Sequence, residues 1–255
     1  MIDPFLFRMP AAEIYKVNGK NILKIYKNGS STLRDLCDAS PKTCIHRDLE
    51  LDFEEFDTKD LNKKYFLDVY LRNPVDRYFS AISTVKEIYG KEIKTLDTNP
   101  LTTTNNGFFF DVHFYPQYWF IQQAYVDFGS NDKLYFRFHD LADLDKVTGS
   151  KRSNVTPESK KIKHSAGTRF IVKSSYVFDY ILYQLCIGRT MNYTELIKVY
   201  GEGLDSRYAG KLKHYIEKTS PENHDKMLAS ADDKIDHYNR ALDQIVEIAK
   251  KSKKY

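Results

Sequence analysis

Apolar residues are spaced along this chain in short continuous runs that give way to helical periods, and the order of those runs predicts the fold. Asn21 to Tyr26 (NILKIY) reads as a short buried strand, followed by a polar turn over Lys27 to Ser31 and a helix from Ser31 to about Asp38. Tyr65 to Leu71 (YFLDVYL) reads as a second strand. Arg72-Asn73-Pro74 ends it, with Asn73 as the N-cap and Pro74 at the first position of a new helix. In that helix Val75, Tyr78, Phe79, Ile82, Val85 and Tyr89 share an apolar face, while Asn73, Arg77, Ser80 and Thr84 line a polar one. Lys91 to Gly107 is polar and reads as a loop, Phe108 to Phe120 is the most aromatic stretch, and Lys133 to Phe138 (KLYFRF) reads as a third strand.

Strands alternating with helices predict a three-layer α/β domain, a short parallel sheet flanked by helices whose ligands collect at the carboxyl ends of the strands. From about Ser150 the character changes. Lys151, Arg152, Lys160, Lys161, Lys163, Arg169 and Lys173 face a single acidic residue, Glu158, and helical patterns resume near Ser174. Ile235, Tyr238, Leu242, Ile245, Val246 and Ile248 form an apolar stripe near the end, before the basic tail Lys250 to Lys254. The expectation is one domain over 1–255, with an α/β core in 1–148 and a basic loop and helical C-terminal part in 149–255. No segment repeats with a period of about 20 to 50 residues, which excludes solenoids and propellers.

Composition narrows the class. A chain of 255 residues with 42% hydrophobic and 29% charged residues, including 19 Tyr and 16 Phe, excludes collagen-like and wholly disordered states. The balance of 39 Lys and Arg against 35 Asp and Glu leaves +4, too mild for a histone-like nucleic-acid binder, so any anion site must be a local patch. Cys37, Cys44 and Cys186 are too few for a disulfide framework and lack metal-ligand spacing, which predicts reduced thiols in a cytoplasmic setting. No apolar run approaches the roughly 18 residues a membrane span needs.

Two turns carry the candidate chemistry. A loop entering a helix presents unpaired N–H groups and the positive end of the helix dipole, a natural cradle for phosphate. Lys27-Asn28-Gly29-Ser30-Ser31-Thr32 occupies such a loop: Gly29 permits close backbone approach, Ser30, Ser31 and Thr32 offer hydroxyls, and Lys27 adds a point charge. It is not a Walker A loop, which places its Lys after the last Gly. At the second turn Arg72 can grip a phosphate bidentately, and Ser80 adds a hydroxyl from the polar face of the next helix.

Together the turns resemble the two signatures of sulfotransferases that use 3′-phosphoadenosine 5′-phosphosulfate (PAPS). Lys27, Gly29, Ser30 and Ser31 match that family's Lys-x-Gly-[Ser/Thr]-[Ser/Thr] loop, which holds the 5′ phosphosulfate. Arg72, Pro74 and Ser80 match its Arg-x-Pro element, with Ser eight positions after the Arg, which holds the 3′ phosphate. His113, Pro116 and Gln117 resemble the His-Phe/Trp-x-Pro-Gln element of the carbohydrate sulfotransferase branch. LYFRFHDL resembles the strand that follows it, with His139 where that branch carries Glu. The resemblance covers residues 21 to 145 and implies a P-loop-like fold, PAPS as donor and a hydroxylated small-molecule or glycan acceptor, with neither nucleic acid nor metal required.

Sulfuryl transfer needs in-line geometry, charge stabilisation on the leaving group and a base for the acceptor hydroxyl. Lys27 suits the leaving phosphate. Histidine suits the base, and His113, with Tyr115, Tyr118 and Trp119 expected around it to stack on a sugar, competes with His46. Glu50, Glu54 and Glu55 are the carboxylate candidates between the two motifs. The rival readings are a polysaccharide- or nucleic-acid-binding module without chemistry and a nucleotide-dependent phosphotransferase, which needs Mg²⁺ ligands and a different loop. The basic segment 151–173 suits either closure over a nucleotide or attraction of an anionic acceptor.

Overall fold

The computed structural model describes residues 10–56, 60, 62–89, 112–149, 169, 172–173 and 176–203. The chain divides into two units, Met9–Tyr200 and a second made of Met1–Arg8 with Gly201–Tyr255. The sheet and nearly every described helix belong to the first. The Lys91–Gly107 loop, the start of the aromatic stretch, most of the basic segment 151–173 and the apolar stripe at Ile235–Ile248 lie outside the described residues.

The first described elements form a hairpin that the strand pattern did not anticipate. Strand β1 (Glu13–Val17) pairs antiparallel with β2 (Lys20–Leu23) across the two-residue turn Asn18-Gly19. Both turn residues have positive φ, 50° and 76°, the combination that lets a tight hairpin follow the right-handed strand twist and that Asn-Gly adopts most readily. Helix α1 (Ser30–Ala39) then leads to β3 (Cys44–Asp48), which pairs antiparallel with the outer side of β1. After α2 (Leu49–Glu54) come β4 (Tyr65–Leu71) and α3 (Pro74–Tyr89). Helix α4 (Gln117–Asp127) leads to β5 (Leu134–Asp140) and the short α5 (Leu144–Thr148). Helix α6 (Val177–Leu185), β6 (Thr190–Asn192) and α7 (Tyr193–Gly203) complete the described chain.

The six strands lie in the order β3-β1-β2-β4-β5-β6. The pairs β2–β4 and β4–β5 are parallel, whereas β3–β1, β1–β2 and β5–β6 are antiparallel. The expected short parallel sheet is therefore the middle of a mixed one. Its physical marker is β4, buried along almost its whole length as a strand covered on both faces must be. The expected strand Asn21–Tyr26 pairs only as far as Leu23, because the chain turns away toward α1. Helices cover both faces. Ile22 packs with Tyr15, Leu33, Tyr70, Leu141 and Leu144 beneath α1 and α5, whereas its neighbour Leu23, pointing the opposite way, lines a recess together with Phe120 and Gln123 of α4. Each fully buried Leu, Ile or Phe contributes about 1.5–3 kcal/mol.

The cysteine expectation is corrected. Cys37 of α1 and Cys44 at the start of β3 form a disulfide, and only Cys186 is a free thiol. The helix and the antiparallel strand bring the two together across the Ser40–Thr43 turn, a proximity that a strand-then-helix reading without β3 could not supply. The ground for a reducing compartment falls with it. Among the described residues no helix is long and apolar enough to cross a membrane.

Candidate functional site

The parallel pairing of β2 with β4 sets the site, because the chain leaves both strands at the same end of the sheet. The turn after β2 contains Lys27 at φ 68°, rare for a residue with a side chain, and Gly29 at φ 82°. Gly29 is the N-cap of α1, and no side chain caps that helix. A Cβ on Gly29 would run into the Leu144 side chain, so the space expected for close anion approach is on that side filled by packing. Ser30 and Ser31 are half-buried and Thr32 is buried.

The turn after β4 begins at Arg72. Asn73 Oδ1 accepts from the Val75 N–H at 3.0 Å, the N-cap read from the sequence. Arg72 Nη1 donates to the Lys27 carbonyl at 3.1 Å, and Arg77 Nε donates to the Tyr26 carbonyl at 3.1 Å. Lys27 Nζ in turn donates to Thr84 Oγ1 on α3, one helical turn beyond Ser80. The two turns are thus joined in both directions, with Lys27, Arg72, Ser80 and Thr84 gathered at one end of the sheet.

Beneath them lies a buried polar layer. Gln117, wholly buried at the start of α4, accepts through Oε1 from Asn28 Nδ2 at 2.5 Å and from the Arg72 N–H at 3.0 Å. Its Nε2 donates to the Arg72 carbonyl at 3.0 Å. Asn28 Nδ2 also donates to the Tyr70 carbonyl at 2.7 Å. Asp179 of α6, likewise wholly buried, caps α4 by accepting from the N–H groups of Gln117 at 2.8 Å and Tyr118 at 3.0 Å. Burial raises the Asp179 carboxyl above its ordinary range, against the pull of Arg77 and those N–H groups. Burial lowers the Arg77 guanidinium, against the charge of Asp179. Arg77 Nη2 and Asn28 Oδ1 are buried without a hydrogen-bond partner, polar capacity that the fold leaves open beside the turns.

The histidine candidates separate. His113, half-buried in the turn Val112–Phe114, meets the Tyr26 ring edge-on at 5.5 Å between centroids, immediately before Lys27. His46 lies on the edge strand β3, exposed, stacked on Tyr15 and with Nε2 at 2.5 Å from Glu13. It is aligned with Tyr15 and Ile22 across the middle of the sheet rather than at its end. Glu50, Glu54 and Glu55 are exposed on or beside α2, Glu55 bound to Arg47. The expected aromatic wall is corrected: Tyr115 and Trp119 are buried, their rings 5.4 Å apart, and pack inward. A small recess beside Tyr26, lined by Ala12, Glu13, Lys24, Phe120 and Gln123, adjoins this end. His139 binds buried Asp68 at 2.7 Å, and Arg137 binds its other oxygen at 2.6 Å, tying β4 to β5.

The sequence reading missed Asp179 and Asp68, although each announced itself as a lone acid inside an apolar run, VFDYIL and YFLDVYL. Buried acids require partners, and those partners came from distant elements. No family model, curated protein or solved structure matches this chain.

Proposed function

We propose that this chain is a sulfotransferase, moving a sulfuryl group from PAPS to a hydroxyl of a carbohydrate-like acceptor. The observation that carries the reading is the meeting of two strand-to-helix turns at the carboxyl ends of adjacent parallel strands, with Arg72 bound to the Lys27 carbonyl and Lys27 reaching α3. Motifs that match a two-phosphate signature in sequence are thereby neighbours in space. Helix α1, uncapped by any side chain, and the open donor Nη2 of Arg77 suit an anionic ligand there. The reading carries with it kinship to a three-layer, P-loop-like architecture, here with β2–α1 and β4–α3 as the two phosphate units.

In this scheme Lys27, Asn28, Gly29, Ser30, Ser31 and Thr32 hold the 5′ end of the donor, and Arg72 and Ser80 hold its 3′ phosphate. PAPS supplies an activated sulfuryl group. Lys27 neutralises charge on the leaving 5′ phosphate, and the first N–H groups of α1 act as a preorganised anion hole. The acceptor oxygen bonds to sulfur as the bridging sulfur–oxygen bond breaks, and His113 takes the hydroxyl proton. His113 is preferred to His46 because it sits against Tyr26, beside the transferring end.

Calorimetry with adenosine 3′,5′-bisphosphate and ATP tests the reading. Tight binding of the bisphosphate and much weaker binding of ATP, which lacks a 3′ phosphate, is expected. Equal affinity for the two, or none for either, rejects it.

A further inference from the structure

We infer that Gln117 is a positioning residue that fixes the spacing between the two phosphate turns, an assignment that rests on the two-phosphate reading above. One amide reaches both turns. Its Oε1 is shared by the Asn28 side chain of the first turn at 2.5 Å and the Arg72 N–H of the second at 3.0 Å, and its Nε2 returns to the Arg72 carbonyl at 3.0 Å. Paired with both backbone groups of Arg72, the amide holds that residue as a neighbouring strand would. Only an oxygen can accept the two N–H groups, so the partners also fix which way the amide points.

The base of the side chain is equally constrained. The Gln117 N–H donates to Asp179 Oδ2 at 2.8 Å and the adjacent Tyr118 N–H to Oδ1 at 3.0 Å. A carboxylate on α6 therefore anchors the helix start from which Gln117 extends. The same amide that reaches both turns also lies against the Asp179 carboxyl, so its anchor and its two partners belong to other elements. A ligand with two phosphates gains most from two anion sites when their separation is set before it arrives, because the second contact then costs little further ordering.

The inference separates from a plain core role by comparing ligands. Gln117→Met keeps length and burial but cannot bridge the turns. Adenosine 3′,5′-bisphosphate spans both turns, whereas adenosine 5′-monophosphate and adenosine 3′-monophosphate each engage one. We expect the bisphosphate to bind Gln117→Met about tenfold more weakly than the parent chain, or worse, and each monophosphate to stay within about twofold. Gln117→Leu loses the same bonds with less bulk, should show the same selective loss, and serves if the methionine variant does not fold. A bisphosphate-to-monophosphate affinity ratio unchanged in a folded variant overturns the inference while leaving the proposed function standing. A parent chain that binds the bisphosphate no better than the monophosphates rejects the two-phosphate reading and the inference together.

Discussion

The two ends of the strand order β3-β1-β2-β4 use similar polar residues in opposite ways. At the carboxyl end of β2 and β4, Asn28, Arg77, Gln117 and Asp179 are buried, and most of their bonds join segments far apart in sequence. At the β3 edge, His46, Arg47 and Glu55 meet their partners at or near the surface, Glu13 for His46 and Glu55 for Arg47. Water screens the second set and scarcely reaches the first. Burial thus decides which polar residues bind the fold and the candidate site into one unit.

The sharpest way to break this contrast is to exchange the two histidines. His113→Ala should lower sulfuryl transfer by roughly 10²–10⁴-fold while leaving adenosine 3′,5′-bisphosphate binding nearly intact, and His46→Ala should turn over normally. Steady-state rates with calorimetry check both. A dead His46→Ala variant beside an active His113→Ala variant moves the base to the β3 side, and two active variants make Glu50, Glu54 and Glu55 the next candidates.

Stability gives the next largest difference. Asp179→Ala removes the cap of α4 and the charge facing Arg77, and such losses cost about 3–5 kcal/mol. Urea unfolding measures it; a cost near zero would place the buried layer on a par with the edge. Within the site, Arg72→Ala should weaken bisphosphate binding by about 1.5–3 kcal/mol, while Lys27→Ala should also depress turnover. Normal nucleotide binding by a folded Arg72→Ala variant would displace the second turn from the site.

At the edge, replacing both Cys37 and Cys44 by serine should cost about 2 kcal/mol, because the bridge closes a short loop. Cys186 gives the control: burial pushes its thiol up to about 11, so it should resist alkylation at pH 8 until the chain unfolds. Glu55→Ala should change the unfolding midpoint least of all. Arg47 holds the Glu55 carboxyl below its ordinary value of 4.5. Its small contribution is therefore present above that pH, is lost as pH falls through the lowered value, and shrinks in high salt. A Glu55 effect that survives both changes would contradict a screened pair.

What the sequence made legible was local. Tyr65–Leu71 and the Asn73 cap were readable because a continuous apolar run and an Asn-Pro start depend only on neighbouring residues. The hairpin carried a local signal too, Asn18-Gly19, but the strand ahead of it, Glu13–Val17, was short and half polar and went unread. The two candidate turns stood out by residue type, and their adjacency followed from alternating strands and helices. Gln117 stood in a matched motif, yet its link to both turns depends on β2 and β4 pairing in parallel, which no local period records. Cys37–Cys44, Asp68–His139 and the Asp179 cap depend likewise on contacts that exist only after the sheet has formed.

The order of synthesis meets the parallel pairing of β4 with β5 in a particular way. The Asn18-Gly19 hairpin closes from neighbouring residues, on the microsecond scale typical of hairpins, whereas Asp68 waits for Arg137, 69 positions later. Both candidate turns emerge early, but the amide that spans them arrives with Gln117, and the carboxylate that anchors that amide arrives only with Asp179. A chain halted after Asp140 would carry every residue of the two proposed phosphate motifs and lack the Asp179 cap on α4. Ligand binding by such a chain should therefore appear late in translation, when α6 has docked, rather than when the second motif is complete.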